Sequence, residues 1–188
     1  MAIRQILYAN DPRLRQKAKP VRLFGPALKA LADDMLETMH AANGLGLAAP
    51  QIGLPERLFT VRLPNNEEDP QSGKDYVLVN PHIAEASADE VENVEGCLSM
   101  PTWFGRVVRP EWITVKARNL RGKPIRIRAK GYLARAFQHE MDHLDGVLFT
   151  DYITRPEDLW QEKPEAEDEA APAESAAEPV AEPVAELA

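Results

Sequence analysis

The chain has 188 residues, 44% hydrophobic and 6% aromatic, with 22 Lys and Arg, 30 Asp and Glu, four His and one Cys. That length suits one domain with a substantial core, a single cysteine excludes an internal disulfide, and no window reaches the roughly 20 apolar residues of a membrane span. The start, MAIRQILYANDPRLRQ, carries no apolar run of signal-peptide length, so a cytoplasmic protein is expected.

The net charge of -8 is local. Gln161 to Ala188 contains nine acidic residues and only Lys163 in opposition, whereas Met1 to Trp160 has 21 basic and 21 acidic residues and is neutral. The isoelectric point therefore says nothing about the substrate, and the overall balance gives no sign of nucleic-acid binding.

In chain order, Pro26 opens a helical pattern with Leu28, Leu31, Met35, Leu36 and Met39 along one stripe, and Asn43-Gly44 supplies its stop. GLGLAAPQIG follows, from Gly44 to Gly53. Its GLGLAA fits a dinucleotide-binding G-x-G-x-x-G/A turn, but that turn must leave a strand and enter a helix. This one leaves a helix and meets Pro50 and Gly53, so the nucleotide reading fails.

LFTVRL (Leu58 to Leu63) and YVLVN (Tyr76 to Asn80) read as strands, with the polar loop NNEEDPQSGKD between them. ITVKA (Ile113 to Ala117) and IRIRA (Ile125 to Ala129) read as a further pair, joined by a hairpin turn at NLRGKP. A second helix, YLARAFQHEMDHL, ends at Asp145-Gly146. Helix, short strands, then helix, without regular alternation, predicts an α+β fold.

The second helix carries the sharpest signal, QHEMDHLDG. His139 and His143 stand one turn apart, roughly 40° round the axis, so both imidazoles can reach one ion. Glu140 lies about 100° from His139, where it can touch a metal-bound water without ligating. A catalytic site needs a third protein ligand and an open position. Phe149 stands where the longer metzincin pattern places a histidine, and the downstream glutamates Glu157 and Glu162 border the acidic tail. The remaining soft donor is Cys97 in EGCLSMP, following Gly96 and preceding a short extended run ended by Pro101. A thiolate and two neutral imidazoles make a tetrahedral site with one place for water. Two other readings stand beside it: an HExxH-type zinc endopeptidase with a carboxylate ligand, and a closed structural metal site. The latter lacks a fourth donor, because His40 and His82 have no comparable motif.

GLGLAAPQ, EGCLSMP and QHEMDH, in that order and at these intervals, resemble the three motifs of peptide deformylases. The resemblance runs from about Ile6 to Ile153. It implies antiparallel sheets packed around a central metal-binding helix, preceded by an N-terminal helix. It implies a metallohydrolase that removes the N-formyl group of newly synthesised polypeptides, using ferrous iron or, at the same site, zinc, nickel or cobalt. On that resemblance Cys97, His139 and His143 are the ligands, Glu140 is the general acid/base, and Gln51 with the Leu98 N–H stabilises the oxyanion. Gly44, Leu45, Gly46 and Gly96 line the substrate, Leu45 walling the methionine pocket. Formylated nascent polypeptides are the implied partners, together with the ribosome near its exit tunnel.

Two departures stand out. Asn43 occupies a position often held by glutamate, and Phe104 one held in some members by an arginine facing the peptide, with Arg106 as a shifted substitute. Some members also end in a basic helix. Here residues 1–160 are expected to form the catalytic domain, and 161–188, rich in Ala, Glu, Pro and Val, a disordered acidic tail that repels phosphates.

Overall fold

The computed structural model describes residues 2–162. Helix α1 spans Pro26–Ala41. Strands β1 (Gly46–Ala48), β2 (Leu58–Val61), β3 (Tyr76–Ala86), β4 (Glu90–Cys97), β5 (Met100–Pro110), β6 (Trp112–Arg118) and β7 (Pro124–Lys130) follow. Helix α2 (Gly131–Asp145) and a short β8 (Leu159–Gln161) complete the order. Every named strand pairing is antiparallel, in a five-stranded sheet β1-β2-β3-β6-β7 and a three-stranded sheet β4-β5-β8. The α+β expectation holds.

Both helices form where the apolar period predicts. Leu28, Ala32, Met35 and Met39 are buried on one face of α1, packed with Leu47, Leu58 and Val79. Asn43 adopts a left-handed backbone (φ 53°), the conformation that ends a helix and that asparagine tolerates better than most residues. On α2, Leu133, Phe137, Met141 and Leu144 face the large sheet against Phe59, Leu78, Ile113 and Val115. Phe137 meets the rings of Phe59 and Tyr76 at 5.4 and 5.3 Å between centroids. Burying one such ring stabilises the fold by about 1.5–3 kcal/mol, with roughly 0.5–1.5 more from each aromatic pair. The other side of α2, bearing Arg135, His139 and His143, is turned toward the cysteine-bearing strand.

The small sheet departs from expectation. The run after Cys97 does not end at Pro101. A two-residue turn, Leu98-Ser99, leads into β5, which passes through Pro101 and pairs along β4. The ladder skips between Gly96↔Phe104 and Cys97↔Met100, so Pro101, Thr102 and Trp103 bulge out of register. Thr102 takes a left-handed φ of 67° there, an uncommon backbone for a β-branched residue. Gln161, expected to start the disordered tail, instead pairs with Trp103, and its amide donates to Thr102 Oγ1 at 3.1 Å. The rest of that expected tail, 163–188, lies outside the described residues. No helix among the described residues is long and apolar enough to cross a membrane.

Candidate active site

The two sheets and α2 enclose a cavity of about 470 Å³, within the range of small-molecule and peptide sites. Gly44, Leu45, Gly46, Gln51, Leu98 and Glu140 all line it, as do Gly96, Cys97 and His139. All the residues singled out in the three motifs thus meet here, His143 entering through its contact with Cys97. Leu45 is exposed at the mouth and Gln51 is buried at the floor.

One ligand atom from each of Cys97, His139 and His143 lies within 4.8 Å of the other two. Cys97 Sγ is 3.2 Å from His143 Nε2. His139 donates from Nδ1 to Glu95 Oε2 at 2.9 Å, which fixes its tautomer and leaves Nε2 for an ion. Among the described residues this is the one cluster of three such donors, and neither Glu157 nor Glu162 joins it. A soft thiolate with two imidazoles suits a divalent transition metal. The fit is supported by a buried atom with no hydrogen-bond partner beside these donors, Glu140 Oε2.

Electrostatics favour the charged thiol. Burial pushes the Cys97 pKa up, but the adjacent His143 and His139 outweigh it and hold the thiol well below its usual range. For His139, burial pushes the pKa down, and the Cys97 and Glu95 bonds carry it well above normal. Glu140 is pushed up to about 7, chiefly by burial, with the two histidines opposing.

Gly46 explains part of the opening motif. A Cβ there would overlap Glu140 Oε1 and stand 2.7 Å from its Cδ, so only glycine lets the carboxylate lie against this strand. At Gly44 a Cβ would come within 2.5 Å of Leu98 Cδ1. Gln51 is oriented by its own loop: Oε1 accepts from the Ala48 N–H at 2.8 Å. Its Nε2 therefore points to Ser99 Oγ (3.2 Å) and Cys97 Sγ (3.6 Å).

The structure adds residues to which sequence reasoning assigned no role. Glu95, buried, accepts from Arg109 at 2.5 and 2.9 Å and from Arg135 at 2.7 Å besides His139. Arg109 Nη1 also lies 2.8 Å from Asp142 Oδ2 as an ion pair without hydrogen-bond alignment. Nothing in one sequence distinguishes Glu95 from the other acids of EVENVEGC; only strand alternation, which puts Glu95 inward, hints at it. Arg106 does not reach the cavity. Its guanidinium lies 3.7 Å from Asp158 Oδ1 and over the Trp160 ring, while Phe104 lines the cavity and stacks on Trp160.

The sequence profile of the polypeptide deformylase family matches residues 3–158. A peptide deformylase of Roseiflexus sp. (strain RS-1) is 50% identical over 166 residues, covering 81% of this chain and 90% of that one. One from Bartonella tribocorum is 47% identical over 155 residues, 82% and 86% of the two chains. Among solved structures, a peptide deformylase from Legionella pneumophila superposes with a TM-score of 0.74 at 46% identity, over 81% of this chain and 87% of that one. The Ehrlichia chaffeensis peptide deformylase in complex with actinonin gives 0.78 at 39% identity, over 82% and 91%. The chain belongs to the polypeptide deformylase family.

Proposed function

We propose that the chain is a metal-dependent hydrolase that removes the N-formyl group from the terminal formylmethionine of nascent polypeptides, releasing formate. The observation that carries this reading is the convergence of the Cys97, His139 and His143 donors with Glu140 and Gln51 in one cavity. Cys97, His139 and His143 would hold a divalent ion, ferrous iron in our reading, with zinc, nickel or cobalt able to use the same donors. When bound, the ion supplies Lewis acidity and lowers the pKa of water.

The chain's own groups do the rest. Glu140, held near neutrality by burial, accepts a proton from the attacking water and returns it to the departing amine. The Gln51 amide and the Leu98 N–H donate to the formyl oxygen as charge builds on it. One such preorganised donor contributes about 3 kcal/mol to transition-state stabilisation. Gly44, Leu45, Gly46 and Gly96 form the walls along an extended peptide, and Leu45 covers the methionine side chain. Glu95 keeps His139 oriented through its Nδ1 bond. In this reading the enzyme works in the cytoplasm on formylated nascent polypeptides, near the ribosomal exit tunnel.

The endopeptidase reading lacks a carboxylate ligand in the cluster. The test is formate release by anaerobically purified, metal-analysed protein from formylated and unformylated methionyl peptides. Release from the formylated peptides alone is expected. Cleavage of internal bonds in unformylated peptides without formate would overturn the proposal.

A further inference from the structure

The neutrality of the body as a sum hides one asymmetric element. From Trp112 to Lys130 the chain has seven cations and no acidic residue: Lys116, Arg118, Arg121, Lys123, Arg126, Arg128 and Lys130. All seven are exposed. The β6–β7 register explains their placement. Lys116 pairs with Arg126, Thr114 with Arg128 and Trp112 with Lys130, so these side chains share one face of the hairpin. The alternate residues Ile113, Val115, Ala117 and Ala129 face the core. Arg121 and Lys123 extend the charge over the tip.

Little opposes this field. Among the described residues, only Arg126 of the seven has an ion-pair partner, Glu85 at 2.8 Å, and that pair is half exposed. Charge on an edge strand discourages pairing with other chains, which explains cations on β7. It does not explain Lys116 and Arg118 on β6, which is covered by neighbours on both sides.

We propose that the outward face of the β6–β7 hairpin binds the phosphate backbone of folded RNA. Alternate residues along a strand are about 7 Å apart, comparable with the spacing of neighbouring phosphates on one nucleic-acid strand. Arg118, Arg126 and Arg128 carry planar forks that match phosphate oxygens; Arg118 uses Nη1 on Gly122 O at 2.6 Å and Arg126 uses Nη2 on Glu85, leaving their other donors free for phosphate. Arg128 lies over the Trp112 ring, its guanidinium carbon 3.9 Å from the centroid, which holds that fork outward. A membrane surface fits less well, because no large apolar side chain of β6 or β7 is exposed for insertion. The tail-bearing end, Glu162, hydrogen-bonds to Thr102 on the other sheet. The choice of RNA rests on the reading that the substrates are nascent chains, which emerge from an RNA-rich particle.

The test uses the full-length, metal-loaded protein and a fluorescently labelled RNA hairpin, read by anisotropy, with vesicles of phosphatidylserine and phosphatidylcholine as a second arm. With about five phosphates engaged, affinity for the RNA falls roughly 100- to 1,000-fold between 50 and 200 mM salt. Lys116→Gln/Arg118→Gln/Arg128→Gln lowers the slope of log affinity against log salt by roughly 3. Formate release from a short formylated peptide stays at the wild-type rate in that variant. No binding to RNA by wild type, an unchanged slope in the variant, or binding to vesicles alone overturns the proposal. Loss of formate release in wild type instead overturns the function proposed above, so the two failures are distinguishable.

Discussion

Gly46→Ala is the smallest change that should disable this site without touching a ligand. The backbone at Gly46 lies outside the left-handed region, so alanine is conformationally permitted. The added methyl would overlap Glu140 Oε1 and approach Cδ to 2.7 Å and Cγ to 2.9 Å, where ordinary contact begins near 3.4 Å. The carboxylate must therefore retreat by about 0.7 Å at Cδ and further at the oxygen, away from β1 and into the cavity that it lines. A displacement near 1 Å of a reacting group costs on the order of 100-fold in rate, so kcat for formate release should fall about 30- to 100-fold, or roughly 2–2.7 kcal/mol. The three atoms nearest the methyl all belong to Glu140, and metal content by mass spectrometry should match wild type. Gly25→Ala, where a Cβ meets nothing within 4 Å, serves as the control with full activity. A Gly46→Ala enzyme with kcat within threefold of wild type and intact metal would refute the placement of Glu140 as the base.

Glu95→Gln leaves Arg109 and Arg135 buried without their shared charge, a loss of about 3–5 kcal/mol that should lower the melting temperature by roughly 10 °C and metal affinity by about 10- to 100-fold. Burial raises the Glu95 pKa, but the bonds from Arg109 and His139 overcome it and hold the group at about 2 against the ordinary 4.5. Its charged-state stabilisation is therefore complete above about 4.5 and is lost as pH falls through about 2. The stability gap between wild type and Glu95→Gln, followed by denaturant unfolding, should be constant from pH 8 to 5 and close below that; a gap that widens with acid contradicts the assignment. Gln51→Ala should reduce kcat by about 100- to 1,000-fold at unchanged metal content, and equal kcat would remove the amide from the oxyanion site. Cys97→Ser should lose metal on dialysis; full retention would show that the thiol is not a ligand.

What could be read from the sequence had local physical causes. His139, Glu140 and His143 were legible because helix period alone puts them on one side, and α1 and α2 because their large apolar residues recur every three to four positions. Cys97 was legible only by completing a ligand set. The small sheet was not. EVENVEGC carries acids at three of its eight positions, and MPTWFGRVVRP contains two prolines, a glycine and a left-handed threonine, so neither reads as a strand in isolation. They form a hairpin whose Leu98-Ser99 turn lacks the usual Asn-Gly or Asp-Gly signal, and β8 pairs non-locally, running into what reads as the start of an acidic tail. Glu95 stayed hidden for the same reason: its importance comes from two arginines, one on β5 and one on α2, that only the tertiary fold brings to it. The charge on β6–β7 was present in the composition but vanished when the body was summed as a whole.

In the proposed mechanism Glu140 moves the proton while Cys97, His139 and His143 hold the metal. Glu140→Gln is nearly isosteric and leaves all three donors in place. The decisive measurement is formate release from a formyl-methionyl peptide by this variant, with metal content determined on the same sample. Full metal occupancy with kcat lowered at least 100-fold is predicted, in line with the size of general acid–base contributions. Near wild-type turnover at full occupancy would rule out Glu140 as the proton carrier.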